Sequence, residues 1–137
     1  MTVRDASPGD LPDIAAIQQA CPEAARWNPA DYLKYHTAVA VCDGIIAGFL
    51  VSRPVAPGER EILNLAVAPA FRRRGIAKTL ISDLLIQLRE TLFLEVRASN
   101  QAARNLYISL GFQEVACRPQ YYESPPESAI VMKFHSC

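Results

Sequence analysis

The part of the chain best suited to bind a ligand is the basic segment Phe71-Arg72-Arg73-Arg74-Gly75-Ile76-Ala77-Lys78. It lies between a predicted strand and the start of the strongest predicted helix. A helix N-terminus presents unpaired backbone N–H groups and the positive end of the helix dipole. Gly75 allows the backbone to approach a ligand closely, and Ala77 keeps that approach open. The segment therefore predicts a site for the two phosphates of a pyrophosphate.

Other interpretations of this segment are weaker. The Gly-Lys-Ser/Thr end of a P-loop is absent, and so is the G-x-G-x-x-G pattern of a dinucleotide site. A nucleic-acid patch would interleave aromatic and basic side chains, and no aromatic stripe surrounds the segment. Taken alone, the segment is also compatible with a solvated helix start that carries ordinary arginines.

The composition is that of a globular domain without a global charge. The 137 residues fit one domain, residues 1–137, and Lys plus Arg equals Asp plus Glu at 14 each. No overall charge points to nucleic acid or to a membrane surface, so any anion site must be local. No signal peptide is apparent and no apolar run reaches roughly 18 residues, so a cytoplasmic location is expected.

The cysteines and histidines show no metal-binding pattern. No C-x-x-C pair occurs, and no metal is expected at the residues concerned, which are Cys21, Cys42, Cys117, Cys137, His36 and His135. We expect the cysteines to be reduced thiols.

The elements that must position the basic segment follow from hydrophobic periodicity. Apolar, β-branched runs predict strands at residues 2–5, 37–42, 45–52, 61–67, 92–96, 112–117 and 129–134. Helices are predicted from Ser7 to about Pro22, near Pro29, at 77–88 and at 100–110. Asp43-Gly44 is typical of a two-residue hairpin turn. Residues 54–58 read as a turn and 118–128 as a loop because of their prolines. This order indicates a mixed-sheet α/β domain.

The basic segment and the strand before it match the pattern of a known family. Arg72-x-x-Gly75-x-Ala77, after a strand that ends Val67-Ala68-Pro69, resembles the acetyl-CoA motif Q/R-x-x-G-x-G/A of the GNAT superfamily of N-acetyltransferases. The element order is also that of the family, so the resemblance covers essentially the whole chain. It implies the GNAT fold, a mixed six- to seven-stranded sheet with helices on both faces. It also implies an enzyme that transfers acetyl from acetyl-CoA to an amine without a metal.

A narrower likeness lies downstream. Five segments after residue 93 are similar to those of the RimI-type enzymes. These segments are Leu94-Glu95-Val96-Arg97-Ala98-Ser99-Asn100, Ala103, Leu106-Tyr107-x-x-Leu110-Gly111-Phe112, Tyr121-Tyr122 and Ala129-Ile130-Val131-Met132. Those enzymes acetylate the N-terminal α-amine of a small-subunit ribosomal protein, which makes a protein or peptide N-terminus the expected partner. Pro119-Gln120, Glu123 and Ser128 depart from the subfamily pattern. These departures bear on the substrate rather than on the chemistry.

The resemblance also implies contacts for the cofactor. The strand that carries Leu65, Ala66 and Val67 would splay from its neighbour and lend backbone groups to pantetheine and an oxyanion donor. The phosphates would lie at residues 72–78, namely Arg72, Arg73, Arg74, Gly75, Ile76, Ala77 and Lys78. Asn100 and Tyr107 would complete the cofactor site, although Asn100 also fits a simple helix N-cap.

Two residues receive catalytic roles from the resemblance. In the family pattern Glu95 would remove the proton of the acceptor amine through a water molecule. The alternative is a strand carboxylate paired with Arg97 or Lys78. Tyr107 would protonate the leaving thiolate. The alternative for Tyr107 is a core aromatic on the stripe of Leu106 and Leu110.

The acceptor side carries aromatic residues. Tyr121 and Tyr122 are expected to wall the substrate groove, and Trp27 and Glu23 are candidates for its far side. Two other hypotheses remain: an acetyltransferase for a small amine or amino acid, and a non-catalytic acyl-CoA-binding module. The presence of both Glu95 and Tyr107 argues against the second.

Overall fold

A computed structural model describes residues 1–123 and 126–134. The strands are β1 Thr2–Asp5, β2 His36–Cys42, β3 Ile45–Ala56, β4 Glu59–Val67, β5 Thr91–Arg97, β6 Gln113–Glu123 and β7 Pro126–Phe134. The α-helices are α1 Leu11–Ala20, α2 Ile76–Leu88 and α3 Gln101–Ser109. Short 3-10 helices occupy Pro8–Asp10, Pro29–Lys34 and Pro69–Phe71. His135 and Cys137, and residues 124–125 of the predicted loop, lie outside the described residues.

The seven strands form one mixed sheet. Their order is β1-β2-β3-β4-β5-β7-β6, and β4 and β5 are parallel while the other neighbours are antiparallel. The parallel pair follows from the crossover helix α2, which connects β4 to β5. This confirms the mixed-sheet prediction.

The two central strands pair at one end and then diverge. Their register consists of Glu59↔Thr91, Arg60↔Leu92 and Glu61↔Phe93. Past these pairs, β4 remains bonded to β3 as far as Val67, and β5 remains bonded to β7 as far as Arg97. The sheet therefore splits into two wings at its centre, as the resemblance implies.

Helices cover both faces of the sheet. Alternate residues of a strand point to opposite faces, and in β4 the buried Leu65 packs with Leu80 and Leu84 of α2. The next residue, Ala66, packs on the other face with Ile14 of α1 and Tyr32. No helix in the described part of the chain is long and apolar enough to span a membrane.

Two predicted irregular segments are wrong. Residues 118–128 were expected to be a loop, yet β6 continues through Glu123 and β7 starts at Pro126. Because β6 lies at the sheet edge, Pro119 is tolerated there, and the register shifts between Arg118 and Tyr122 absorb the irregularity. Likewise β3 extends through residues 54–56, next to a register shift between Pro54 and Ala56.

Several local predictions are confirmed. Asp43 and Gly44 both have positive φ, 51° and 76°, as the hairpin turn requires. Ser7 precedes the first helical turn with Pro8 at its start. The helix predicted near Pro29 forms as a 3-10 helix.

Candidate active site

A cavity of about 870 Å³ opens where β4 and β5 separate. Its lining includes Arg53 of β3, residues 61–64 of β4, residues 94–97 of β5, residues 22–27 after α1 and residues 121–123 of β6. Asn100 and Tyr107 close it from α3. The size is within the range of sites that bind small organic ligands.

Glu95 lies at the split of the sheet with one carboxylate oxygen uncommitted. Its side chain is 19% exposed, and Oε1 accepts a hydrogen bond from Arg118 Nη1 at 2.6 Å. Oε2 is buried and has no partner among the described residues. A buried carboxylate oxygen without a partner is energetically costly, so it is well suited to accept a hydrogen bond from a ligand. The ion-pair partner of Glu95 among the described residues is Arg118, whereas the alternative interpretation of the sequence named Arg97 or Lys78.

Tyr121 and Tyr122 form the cavity wall beside Glu95. The charge of Glu95 raises the pKa of Tyr121, and burial raises the pKa of Tyr122 to about 12. Both phenols therefore remain hydrogen-bond donors at neutral pH. Arginines stack on their rings, Arg118 at 4.8 Å from Tyr121 and Arg97 at 4.3 Å from Tyr122.

Tyr107 is both a core residue and a cavity residue. It is 5% exposed, and its ring meets Phe112 edge-on at 5.3 Å between centroids. Burial, with a contribution from the charge of Glu23, raises the pKa of its phenol above the ordinary value. The hydroxyl therefore stays protonated across the neutral and mildly alkaline range. This packing agrees with the interpretation of Tyr107 as a core aromatic, and its general-acid role stays a prediction.

Asn100 caps α3 and reaches across the cavity. Its Oδ1 accepts from Ala103 N at 3.0 Å, which confirms the helix cap. Its Nδ2 donates to the backbone oxygen of Glu23 at 3.4 Å. The residue thus joins the start of α3 to the segment after α1.

Glu23 has a larger part in the site than the sequence suggested. Its side chain is 10% exposed, and its carboxylate oxygens accept from Arg72 Nη2 at 2.9 and 3.2 Å. Arg72, predicted to serve the cofactor, is therefore anchored to the segment after α1. Glu23 follows a proline in an irregular segment, where periodicity carries no information, so the sequence offered little to find this contact.

The basic segment forms an exposed turn before α2. Arg73 and Gly75 have left-handed backbone conformations, with φ of 64° and 73°. α2 begins at Ile76, and Arg73, Arg74 and Lys78 are exposed around its first turn. Ile76 is buried and Ala77 half-buried, so their side chains pack inward and leave the backbone to face a ligand. The turn lies outside the cavity lining and is joined to it through Arg72 and Glu23.

In the predicted cofactor strand two side chains are buried, and two backbone groups are already paired with side chains. Leu65 and Ala66 are buried in opposite cores. Leu65 N donates to Asn64 Oδ1 at 3.0 Å, and Val67 O accepts from Cys21 Sγ at 3.2 Å. Two backbone groups near the split, Leu65 N and Val67 O, are thus hydrogen-bonded to side chains. Within residues 1–123 and 126–134, no group of His, Cys, Asp or Glu is arranged to hold a metal ion.

A sheet that splits over a cavity, beside a basic helix start, has the features expected of an acyl-transferring enzyme with a phosphate-bearing donor. The acetyltransferase (GNAT) family profile matches residues 10–112. The ribosomal protein bS18-alanine N-acetyltransferase of Salmonella typhimurium is 36% identical over 142 residues, which cover 96% of this chain and 95% of that protein. The chain belongs to the GNAT family of acetyltransferases.

Solved structures agree with this assignment. The ribosomal-protein-S18-alanine N-acetyltransferase from Escherichia coli superposes with a TM-score of 0.76 at 32% identity, covering 99% of this chain and 95% of that one. Ard1 from Thermoplasma volcanium superposes with a TM-score of 0.82 at 30% identity, covering 97% and 95%. The predicted fold and the predicted enzyme class are thus confirmed.

Proposed function

We propose that the protein transfers the acetyl group of acetyl-CoA to the N-terminal α-amine of a protein or peptide, with a ribosomal protein as the first candidate. The observation that carries the proposal is Glu95, whose buried Oε2 has no partner among the described residues at the split of the sheet. Relatives named for acetylation of the alanine of ribosomal protein bS18, at 34% and 36% identity over 96% of the chain, support this choice of acceptor.

The donor is proposed to bind with its pyrophosphate at the start of α2. The left-handed turn at Arg73 and Gly75 and the first N–H groups of the helix supply donors, and the exposed Arg74 and Lys78 add positive charge. The pantetheine arm then follows the backbone of residues 65–67 toward the split. This path brings the thioester to the end of the cavity that holds Asn100 and Tyr107.

The chemistry requires two proton movements. The acceptor nitrogen attacks the thioester carbonyl, a C–N bond forms, and the C–S bond breaks. Glu95, directly or through a water molecule, accepts the proton that the amine loses, and Tyr107 donates a proton to the departing thiolate. An α-amine with a pKa of about 7.7 to 8.0 needs only a modest base, whereas a lysine side chain at about 10.4 is harder to deprotonate.

The acceptor is proposed to enter between aromatic residues. Trp27, Tyr121 and Tyr122 line the same cavity. A peptide whose first residue reaches Glu95 would leave its following residues between these rings. Aromatic walls supply contact area with little loss of side-chain entropy, which suits recognition of an extended chain.

We expect Gly75→Val to weaken acetyl-CoA binding about tenfold or more, because a β-branched residue at φ 73° costs about 1–3 kcal/mol or reshapes the turn. A Cβ at this position would meet nothing within 4 Å in the protein, so crowding by the protein itself is not the cause. Titration calorimetry with acetyl-CoA measures the effect.

Gly44→Val is the matched control for this variant. Gly44 has φ 76° and equally open surroundings, but it lies in the hairpin between β2 and β3. It should cost similar stability and leave acetyl-CoA affinity unchanged. Unchanged affinity in the Gly75 variant would show that the phosphates bind elsewhere.

The acceptor is tested with a short peptide that starts with Ala and carries an internal Lys. After incubation with acetyl-CoA, fragment mass spectrometry should locate the acetyl group on the α-amine, because that amine is neutral to a useful degree near neutral pH. The same peptide with a blocked N-terminus is the control and should remain unmodified. Acetyl on the Lys side chain would reject this acceptor. So would turnover of small free amines with neither peptide amine modified.

A further inference from the structure

We propose that two buried amides, Asn64 and Gln18, are positioning residues that fix the acceptor wall of the cavity. This proposal rests on the proposed function and assigns the part of the fold that sets acceptor recognition. The wall is formed by residues 21–28, called the acceptor loop below. It includes Trp27, which lines the same cavity as Tyr121 and Tyr122.

The side chain of Asn64 binds the backbone of the acceptor loop. The side chain of Asn64 is on β4 at the split of the sheet, and the residue is 3% exposed. Its Oδ1 accepts from Ala25 N at 3.0 Å, and its Nδ2 donates to Ala25 O at 3.0 Å. This double contact has the donor and acceptor pattern of a strand neighbour. The Asn64 amide therefore binds both backbone groups of Ala25 in the loop.

Gln18 holds the loop two residues further on. Its Nε2 donates to Trp27 O at 2.7 Å, and its backbone oxygen accepts from Arg26 Nη1 at 3.2 Å. The side-chain oxygen of Gln18 accepts from Asn64 Nδ2 at 3.1 Å and from the Tyr32 hydroxyl. The two amides thus form one connected network, which Tyr32 supports from the core.

Few other forces restrain this part of the loop. Cys21 and Ala24 pack in the core, whereas Arg26, Trp27 and Asn28 are exposed. Among the described residues, each hydrogen bond of residues 25–27 runs to Asn64 or Gln18. Apolar burial therefore fixes the beginning of the loop, and the amide pair fixes the segment that carries Trp27. Ordering this segment in advance spares the acceptor the entropic cost of doing so.

The network touches the donor side at one contact, Leu65 N to Asn64 Oδ1 at 3.0 Å, which Asn64→Asp would keep. The donor side of the loop is held through Glu23 and Arg72, which do not contact the amides. Removal of an amide should therefore loosen Trp27 without disturbing the basic turn. We expect a higher KM for the acceptor, with kcat and acetyl-CoA affinity retained.

The experiment compares Gln18→Met and Asn64→Asp with the unmodified enzyme. Met keeps the length of Gln18 and removes its bond to Trp27, while Asp keeps the Oδ1 acceptor and removes the bond to Ala25 O. Each should raise the peptide KM about tenfold while kcat stays within about threefold and the Kd for acetyl-CoA within about twofold. Unchanged peptide KM in both variants would overturn the specificity role.

Trp27 supplies a second readout, because the sequence contains one Trp. Acrylamide quenching of its fluorescence, measured without any acceptor, should increase in both variants as the loop loosens. Unchanged quenching would overturn the positioning role even if KM rises. The quenching measurement does not depend on activity. It therefore still tests the positioning role if the proposed acceptor turns out to be wrong.

Ser52→Ala is the matched control. Ser52 is fully buried on β3, and its Oγ accepts from Arg60 Nη1 at 3.2 Å, away from the acceptor loop. This variant also loses a buried hydrogen bond, so it should lower the melting temperature to a similar extent. It should leave Trp27 quenching and peptide KM unchanged. Equal KM increases in the control and the amide variants would indicate a general loss of stability and overturn the proposal.

Discussion

Tyr107→Phe is expected to lower kcat about 100-fold and to leave the affinity for acetyl-CoA within about twofold. Phe retains the ring, and with it the edge-on contact with Phe112 at 5.3 Å between centroids. The substitution removes the hydroxyl and therefore tests the general-acid role separately from the packing role. Rapid-mixing kinetics with saturating donor and acceptor measures the loss.

The raised pKa of Tyr107 leads to a second expectation, which concerns the pH dependence of kcat. Because burial and the charge of Glu23 raise that pKa, the phenol holds its proton beyond the range of an ordinary tyrosine. The kcat of the unmodified enzyme should therefore show no alkaline decline from loss of this proton below about pH 10.

Tyr35→Phe is the control for Tyr107→Phe, because Tyr35 packs against the core on the other face of the sheet. It should retain full kcat and melt close to the unmodified enzyme. Full activity in Tyr107→Phe would reduce Tyr107 to a packing residue and leave the thiolate to be protonated by solvent.

The features that the sequence predicted well are those encoded over short stretches. The helix from Ile76 and the basic turn before it are specified by apolar spacing and by Gly75, which supplies a left-handed residue where the turn needs one. The hairpin at Asp43 and Gly44 is equally local. Order of elements and type of sheet followed from these local patterns.

The features that the sequence missed depend on distant contacts. Arg118 reaches Glu95 because two strands far apart in sequence meet across β7, and no spacing rule connects them. Glu23 reaches Arg72 for the same reason, across 49 positions of the chain. The loop prediction for residues 118–128 is wrong because it relied on the prolines. Pro119 is tolerated since β6 is an edge strand, and the position of a strand in the sheet is not encoded locally.

These contacts change the picture of the proposed site. Arg118 neutralises one side of Glu95, and Arg72 neutralises Glu23, so these two cavity carboxylates are each paired with a guanidinium. Glu95 differs from Glu23 in that its second oxygen is buried without a partner in the described chain. This asymmetry makes Glu95, rather than Glu23, the candidate proton acceptor.

The strongest test of that assignment is Glu95→Gln, which should lower kcat/KM for the peptide about 100-fold or more near pH 7. Gln preserves the size of the side chain and an oxygen that Arg118 can contact, but it accepts no proton. Near neutral pH most of an α-amine with a pKa of about 7.7 to 8.0 is an ammonium, so the reaction needs a base. At about pH 9 most of the amine is already neutral, and the deficit of the variant should shrink toward about tenfold or less.

Glu123→Gln provides the control in the same cavity, because Glu123 is an exposed carboxylate on its wall. It removes the same charge and should leave the pH profile of kcat/KM unchanged. A deficit in Glu95→Gln that stays constant between about pH 7 and pH 9 would contradict the base role. Glu95 would then serve to hold Arg118 and the phenols of Tyr121 and Tyr122 in place, and the acceptor would have to lose its proton to solvent before it binds.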